Sequence, residues 1–337
     1  MFFSRLWFIA VAVVIVRGNI LQAADQPIRV GIIGCDTSHV KEFTKLINDP
    51  KATGDLEGVK ITTAYPGGTD VPASKNRIDG FVKNLRDQGV KIVDSLEKLS
   101  SETDAILLES VDGRPHLEQF RAVAKGKPVF IDKPTAASLA DIISIFRIAD
   151  ETHTPVFSSS SLRFCKEVED AATNKSIGEM LGCETSGPFS TLPHHPDLFF
   201  YGIHGVEPLF TIMGTGCESV SRTDSPLSTV VVGKWKDGRL GSYRGIKKGH
   251  NYSICTFGSE GVVQHTTKTP GYEKLVSEIC KFFKTQEPPV GRDQTIEIYA
   301  FMEAADESKR QDGKDILLSD TIHRAEEKSA ADVKAKP

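Results

Sequence analysis

From residue 27 onward the chain alternates short runs of β-branched and aliphatic residues with longer stretches whose apolar positions recur every three to four residues. The short runs suit buried strands, and the longer ones line one face of a helix. The pattern predicts strands over 28–33, 59–64, 91–93, 105–109, 128–131 and 155–158. Helices are predicted between them over 40–47, 73–88, 115–124 and 139–149, the second carrying Ile78, Phe81, Val82 and Leu85 on one stripe. Strands separated by helices need crossovers, so these six should form a doubly wound parallel sheet of the kind that binds dinucleotides.

After residue 160 the pattern changes to longer alternating runs, over 229–235, 239–246, 252–257 and 262–266. Turns such as Lys236-Asp237-Gly238 and Ser259-Glu260-Gly261 join them. Alternation of this kind predicts an open, mainly antiparallel sheet with one solvated face. Helices over 198–212, 272–283 and 295–309 would flank it. The fold class expected is therefore α/β: a Rossmann-type domain over 25–158 and an α+β domain over 159–322. The charged tail, 323–337, has few apolar residues and is expected to be flexible.

The first residues change the picture of where the chain works. Arg5 precedes an apolar run over 6–16, and Gln22-Ala23-Ala24 supplies a small-residue exit. About 11 apolar residues are too few for a comfortable membrane span of about 20, but they match the core of a secretory signal. Residues 1–24 are read as that signal, which makes the protein exported, periplasmic or otherwise extracytoplasmic, with the membrane involved only through the leader. The balance of 41 Lys and Arg against 45 Asp and Glu gives a net charge of −4. No basic stripe is present, so nucleic acid is excluded as a partner. The cysteines at 35, 165, 183, 217, 255 and 280 lack metal-type spacing, and no disulfide framework is expected.

The turn after the first strand reads Gly34-Cys35-Asp36-Thr37-Ser38-His39. A dinucleotide fold usually has GxGxxG here, because glycines let the backbone approach a pyrophosphate at the helix N-terminus. Only Gly34 aligns; Asp36 and His39 stand in the other two glycine positions. Asp36 then either points away, capping the helix, or the ligand is not seated in the usual way. Nor does a carboxylate follow the second strand until Asp70.

Two segments carry the most specific signal. One runs from Glu109 through Arg114-Pro115-His116 to a strand ending in Asp132-Lys133-Pro134; the other is Gly202-Ile203-His204-Gly205-Val206-Glu207. From residue 28 to about 318 the chain resembles the glucose-fructose oxidoreductase, inositol dehydrogenase and MocA family. There the strand ends in Glu-Lys-Pro, and the helix carries D-x-G-x-H-x-x-D. The resemblance implies a nicotinamide cofactor, NAD or NADP, and hydride transfer at a CH–OH group of a sugar, cyclitol or related polyol. It implies Lys133 and His204 as catalytic residues, and Gly34, Asp36, Thr37, Ser38, His39, Glu109, His116 and Lys133 around the cofactor. Ser160, Arg163, His195, Asp197, Tyr201 and Glu207 would meet the substrate. A homo-oligomer is implied as well.

The family carboxylate four residues before the histidine is Phe200 here, so Asp197, Tyr201 or the pair His194-His195 would have to replace it. Two other readings use the same residues. The cluster His194, His195, Asp197, His204 and Glu207 has metal-ligand types but no recognised spacing, and no residue is assigned to a metal. The lost glycines also allow a carbohydrate-binding protein that kept the fold without redox turnover, and some relatives use transient oxidation to cleave glycosides.

Overall fold

The computed structural model describes residues 26–335, apart from residues 70, 250 and 268–270; the proposed leader, 1–24, lies outside the described residues. Among the described residues no helix is long and apolar enough to cross a membrane.

The first half runs β1 (Ile28–Ile33), α1 (His39–Ile47), β2 (Val59–Tyr65), α2 (Pro72–Lys75), α3 (Ile78–Asp87), β3 (Lys91–Ile92), α4 (Leu96–Glu102), β4 (Ala105–Leu108), α5 (His116–Val123), β5 (Val129–Ile131), α6 (Leu139–Thr152) and β6 (Val156–Ser158). The six strands lie in the order β3-β2-β1-β4-β5-β6 and pair in parallel. That order reverses between β1 and β4, so the crevice for a ligand lies outside the carboxyl ends of those two strands. Strands β4 and β5 are buried along their whole length, as a sheet covered on both faces requires.

Local chemistry explains several boundaries. Ser95 and Ser138 cap α4 and α6 by accepting the amides of Lys98 and Asp141. The helix expected over 73–88 is broken at Asn76 and Arg77 into α2 and α3.

A 3₁₀ turn, Ser161–Phe164, leads to α7 (Lys166–Thr173), β7 (Met180–Pro188), α8 (Asp197–Phe200), α9 (Ile203–Met213), β8 (Cys217–Asp224), β9 (Ser228–Trp235), β10 (Leu240–Ile246), β11 (Tyr252–Gly258), β12 (Val262–Thr267), α10 (Glu273–Thr285), α11 (Arg292–Arg310), β13 (Ile316–Leu317) and α12 (Leu318–Ala335). The second sheet has seven strands in the order β12-β11-β7-β10-β9-β8-β13. All neighbours are antiparallel except β7 and β10, which run parallel.

Two expectations for this half need correction. The helix over 198–212 is divided around Tyr201-Gly202, where a Cβ on residue 202 would sit 2.8 Å from Leu198. The tail is not loose: α12 continues to Ala335, buries Leu318, Ala325 and Ser329, and joins Ser329 to Ser144 of α6 through a 2.7 Å hydrogen bond. All six cysteines are free.

Candidate functional site

A cavity of about 690 Å³ opens at the carboxyl ends of the parallel strands, bounded by the second half of the chain. Its floor comes from the turn into α1, with Thr37, Ser38 and His39, and from Asp132-Lys133 after β5. Val71, Ser74 and Arg77 form one wall; Ser160, His204, Tyr201 and Tyr252 form the opposite one. Tyr272, at the start of α10, closes the edge above His39.

Lys133 stands at the end of β5, the strand next to β4 in the crevice, and the peptide that follows it to Pro134 is cis. His204 is in the first turn of α9. It can sit there because residue 205 has no side chain: a Cβ would fall 2.2 Å from the ring of Tyr243, which is wholly buried. Nδ1 of His204 lies 2.8 Å from the Ser160 hydroxyl. Burial, helped by the neighbouring Lys133 charge, holds His204 well below the ordinary histidine range, so the imidazole is neutral.

Asp36 does not cap α1. Its carboxylate crosses to the loop after β4 and accepts the Val111 amide at 3.2 and 3.3 Å, while Arg77 donates to the Asp36 carbonyl at 3.1 Å. Burial pushes the Asp36 carboxyl up to about 6. Gly34 is needed for its backbone, with φ of 87°, and for space: a Cβ would meet the Ser110 backbone at 2.6 Å.

His39 turns its ring over the ends of β4 and β5. Its Nδ1 is 2.8 Å from Asp132 Oδ2 and 3.7 Å from Glu109 Oε2, and the ring stacks on Phe43 at 5.3 Å. Burial opposes a charge on His39, but the Asp132 carboxylate outweighs it and lifts the imidazole to about 9. Glu109 is raised by burial. Asp132 is lowered: its own burial acts the other way, and the His39 charge prevails.

Thr37, Ser38, His39, Lys133, Ser160, Tyr201 and His204 are thus brought together, as the sequence suggested. Others are not among the cavity's lining residues, and each has a tertiary reason. Gly34 and Asp36 are packed beneath the turn, and Glu109 lies under His39. His116 is wholly buried between the carbonyls of Thr135 and Ser110, at 3.1 and 2.8 Å. Glu207 accepts from Ser159, the Ser160 amide and Arg163 in a buried ion pair. His195 lies 3.1 Å from Asp112. Asp197 is held by Arg222 and Lys309. The metal-type set His194, His195, Asp197, His204 and Glu207 therefore does not assemble. Sequence reasoning missed Asp132, Arg77, Tyr252 and Tyr272. Asp132 adjoins Lys133 and could have been named; Tyr272 reaches the site only through a long-range return of the chain.

No family model matches this chain, and neither does any curated protein. Solved structures do match it in shape. An oxidoreductase from Thermotoga maritima is 18% identical, with a TM-score of 0.69 over 88% of this chain and 99% of that one. An oxidoreductase from Agrobacterium radiobacter, solved with NAD+, L-tartaric acid and magnesium, is 13% identical, with a TM-score of 0.70 over 87% and 98% of the two chains. The myo-inositol dehydrogenase of Lactobacillus casei, solved with NAD(H) and myo-inositol, is 15% identical, with a TM-score of 0.69 over 86% and 96%. At these identities the likeness establishes the fold: the chain shares with these structures the α/β fold of a Rossmann-type parallel sheet followed by a second, mixed sheet.

Proposed function

We propose that this protein is an exported oxidoreductase that uses a nicotinamide dinucleotide, NAD or NADP, to oxidise or reduce a CH–OH group of a sugar, cyclitol or related polyol. The observation that carries the reading is the convergence of Lys133 and His204 on one cavity at the switch point of a Rossmann-type sheet. The residues present suit a dinucleotide in part. Ser38 makes no capping hydrogen bond at the N-terminus of α1, where Thr37 Oγ1 accepts the His39 amide at 3.3 Å; this turn opens onto the cavity with Thr37 and Ser38, which favours an anionic phosphate. Arg77 adds a cation at the rim. Asp36 and His39 depart from the glycine pattern, and they support a second reading, polyol binding without redox turnover.

A bound nicotinamide would supply the hydride chemistry at the carbinol carbon. The rest falls to the chain. In the tautomer that donates Nδ1–H to Ser160, His204 keeps its Nε2 lone pair for the hydroxyl proton. The Lys133 ammonium favours the alkoxide that forms as that proton leaves. Tyr201 and Tyr252 offer hydroxyl-bearing rings to a polyol at the cavity wall. The exposed apolar residues Leu181, Leu240, Phe257 and Val262 on the second sheet support assembly with a second copy of the chain.

The test is thermal unfolding of the purified protein with NAD, NADH, NADP and NADPH, followed by a polyol screen read by nicotinamide absorbance. Ligand at about 100 times its Kd adds about 2.7 kcal/mol of stability. Turnover should fall by about 10²–10⁴ in Lys133→Ala. A protein that no dinucleotide stabilises would sink the redox reading and favour the second.

A further inference from the structure

One arrangement in the crevice is not used by the redox chemistry. Glu109, directly after β4, is 0% exposed, and neither of its carboxylate oxygens has a hydrogen-bond partner among the described residues. Asp132, directly after β5, is 2% exposed, and its Oδ1 is unpartnered as well. His39 closes the third side. Its Nδ1 lies within ion-pair distance of both carboxylates, but the ring is turned so that neither contact is an aligned hydrogen bond.

Buried carboxylates are ordinarily paired or bound to a metal, because water cannot reach them and an uncompensated charge is costly. Here two such carboxylates and the His39 imidazole converge, each offering one ligand atom, all within 4.8 Å of one another. A protonated His39 supplies one positive charge against the two carboxylates but aligns a hydrogen bond with neither, and a trapped water would add no further charge; a dication that displaces the imidazole proton meets both. We propose that His39, Glu109 and Asp132 form a binding site for one divalent metal ion of the Zn²⁺ or Mn²⁺ class.

The donor set suits that class: imidazole nitrogen favours the transition ions, and carboxylate oxygen suits the harder ones. Bonds of about 2.1 Å place neighbouring ligand atoms about 3 to 3.5 Å apart. The 2.8 and 3.7 Å separations from His39 Nδ1 bracket that spacing. The rings of Phe43 and Tyr272, at 5.3 and 4.8 Å, hold the imidazole in place. Lys133 adds a positive charge nearby, so two carboxylates are needed for a dication to remain. His39 and Asp132 also line the cavity. Three protein ligands leave further positions on the ion, where a water or an oxygen of the bound molecule fits, as in metal sites that act on substrates. This site stands independently of the dinucleotide reading: a failed metal titration leaves the cofactor shifts untouched, and the reverse also holds.

The test begins with the full chain, stripped with a chelator and dialysed. It is then titrated calorimetrically with Zn²⁺ alone and with Mn²⁺ alone, with bound metal counted by elemental analysis. One ion per chain and a raised unfolding midpoint are expected. Glu109→Gln and Asp132→Asn preserve shape and remove one charge each, and each should weaken binding by about tenfold or more. His323→Ala, an exposed position on α12, should change nothing. Absence of stoichiometric binding to the unaltered chain overturns the proposal, whatever becomes of the variants. So does binding that both carboxamide variants leave intact.

Discussion

Asp36 is a carboxylate where the fold usually has glycine, and its surroundings determine what it does to stability. Its pKa in the folded chain is about 6, against an ordinary value of 3.8, because burial disfavours the charge. The folded protein therefore holds this proton more tightly than the unfolded chain does. The stabilisation is complete below about pH 4 and is lost as pH rises toward 6. Above that, the buried charge costs on the order of 3 kcal/mol. Asp36→Asn keeps an oxygen for the Val111 amide and removes the titration. It should exceed the parent by about 1–3 kcal/mol at pH 8 and lose that advantage at pH 4, as measured by unfolding at both. A difference independent of pH would refute the assignment. At this scale the presence of Lys133 and His204 at the cavity could be anticipated from the sequence, because each stands in a short motif at a strand or helix end. Arg163, His195, Asp197 and Glu207 could not, since their partners are brought to them only by folding. The ion pairs Arg163–Glu207 and Arg222–Asp197 join residues 44 and 25 positions apart.

Among the elements, hydrophobic period located β1, β2 and β4 to within a residue and found the four long strands β9 to β12. It missed α4, α7, β7, β8, β13 and α12. In α12 the charge of the segment AEEKSAADVKA concealed a run of good helix formers. A helix with so few apolar residues is held by where they point: Leu318, Ala325 and Ser329 are buried, and Ile322 packs against the core. Ending the chain at Leu317 removes these contacts and uncovers the part of α6 beneath them. Burial of one leucine alone contributes about 2 kcal/mol. Urea unfolding of the shortened chain should show a loss of more than about 3 kcal/mol. A loss of only a few tenths would mean that the tail is as dispensable as its composition suggests.

For the whole molecule, the sequence divides more cleanly into two domains than the structure does. Helix α10 follows β12, an edge strand of the second sheet, yet Leu275, Val276, Ile279 and Phe282 lie in the same apolar cluster as β1, β2 and α1. Phe282 packs edge-on against Phe157 of β6 at 4.8 Å. The same helix begins at Tyr272, whose ring rests on His39, so the segment that fastens the two halves together also shapes the cavity. The other apolar cluster joins Leu108 and Ile131 of the first sheet to Val231 and Tyr243 of the second, so the two sheets are expected to unfold together. Phe282→Ala cuts a cavity in the core of the first sheet and should cost about 3–5 kcal/mol. Trp235 sits 3% exposed in the second sheet and reports on the other half. In a chain carrying Trp7→Phe, its fluorescence transition should coincide with the far-ultraviolet circular dichroism transition. In the double variant with Phe282→Ala both should move together to lower denaturant. If the dichroism midpoint moved while the Trp235 signal stayed in place, the halves would be independent. The cavity would then be a cleft between two separately folding bodies, free to open without loss of either core.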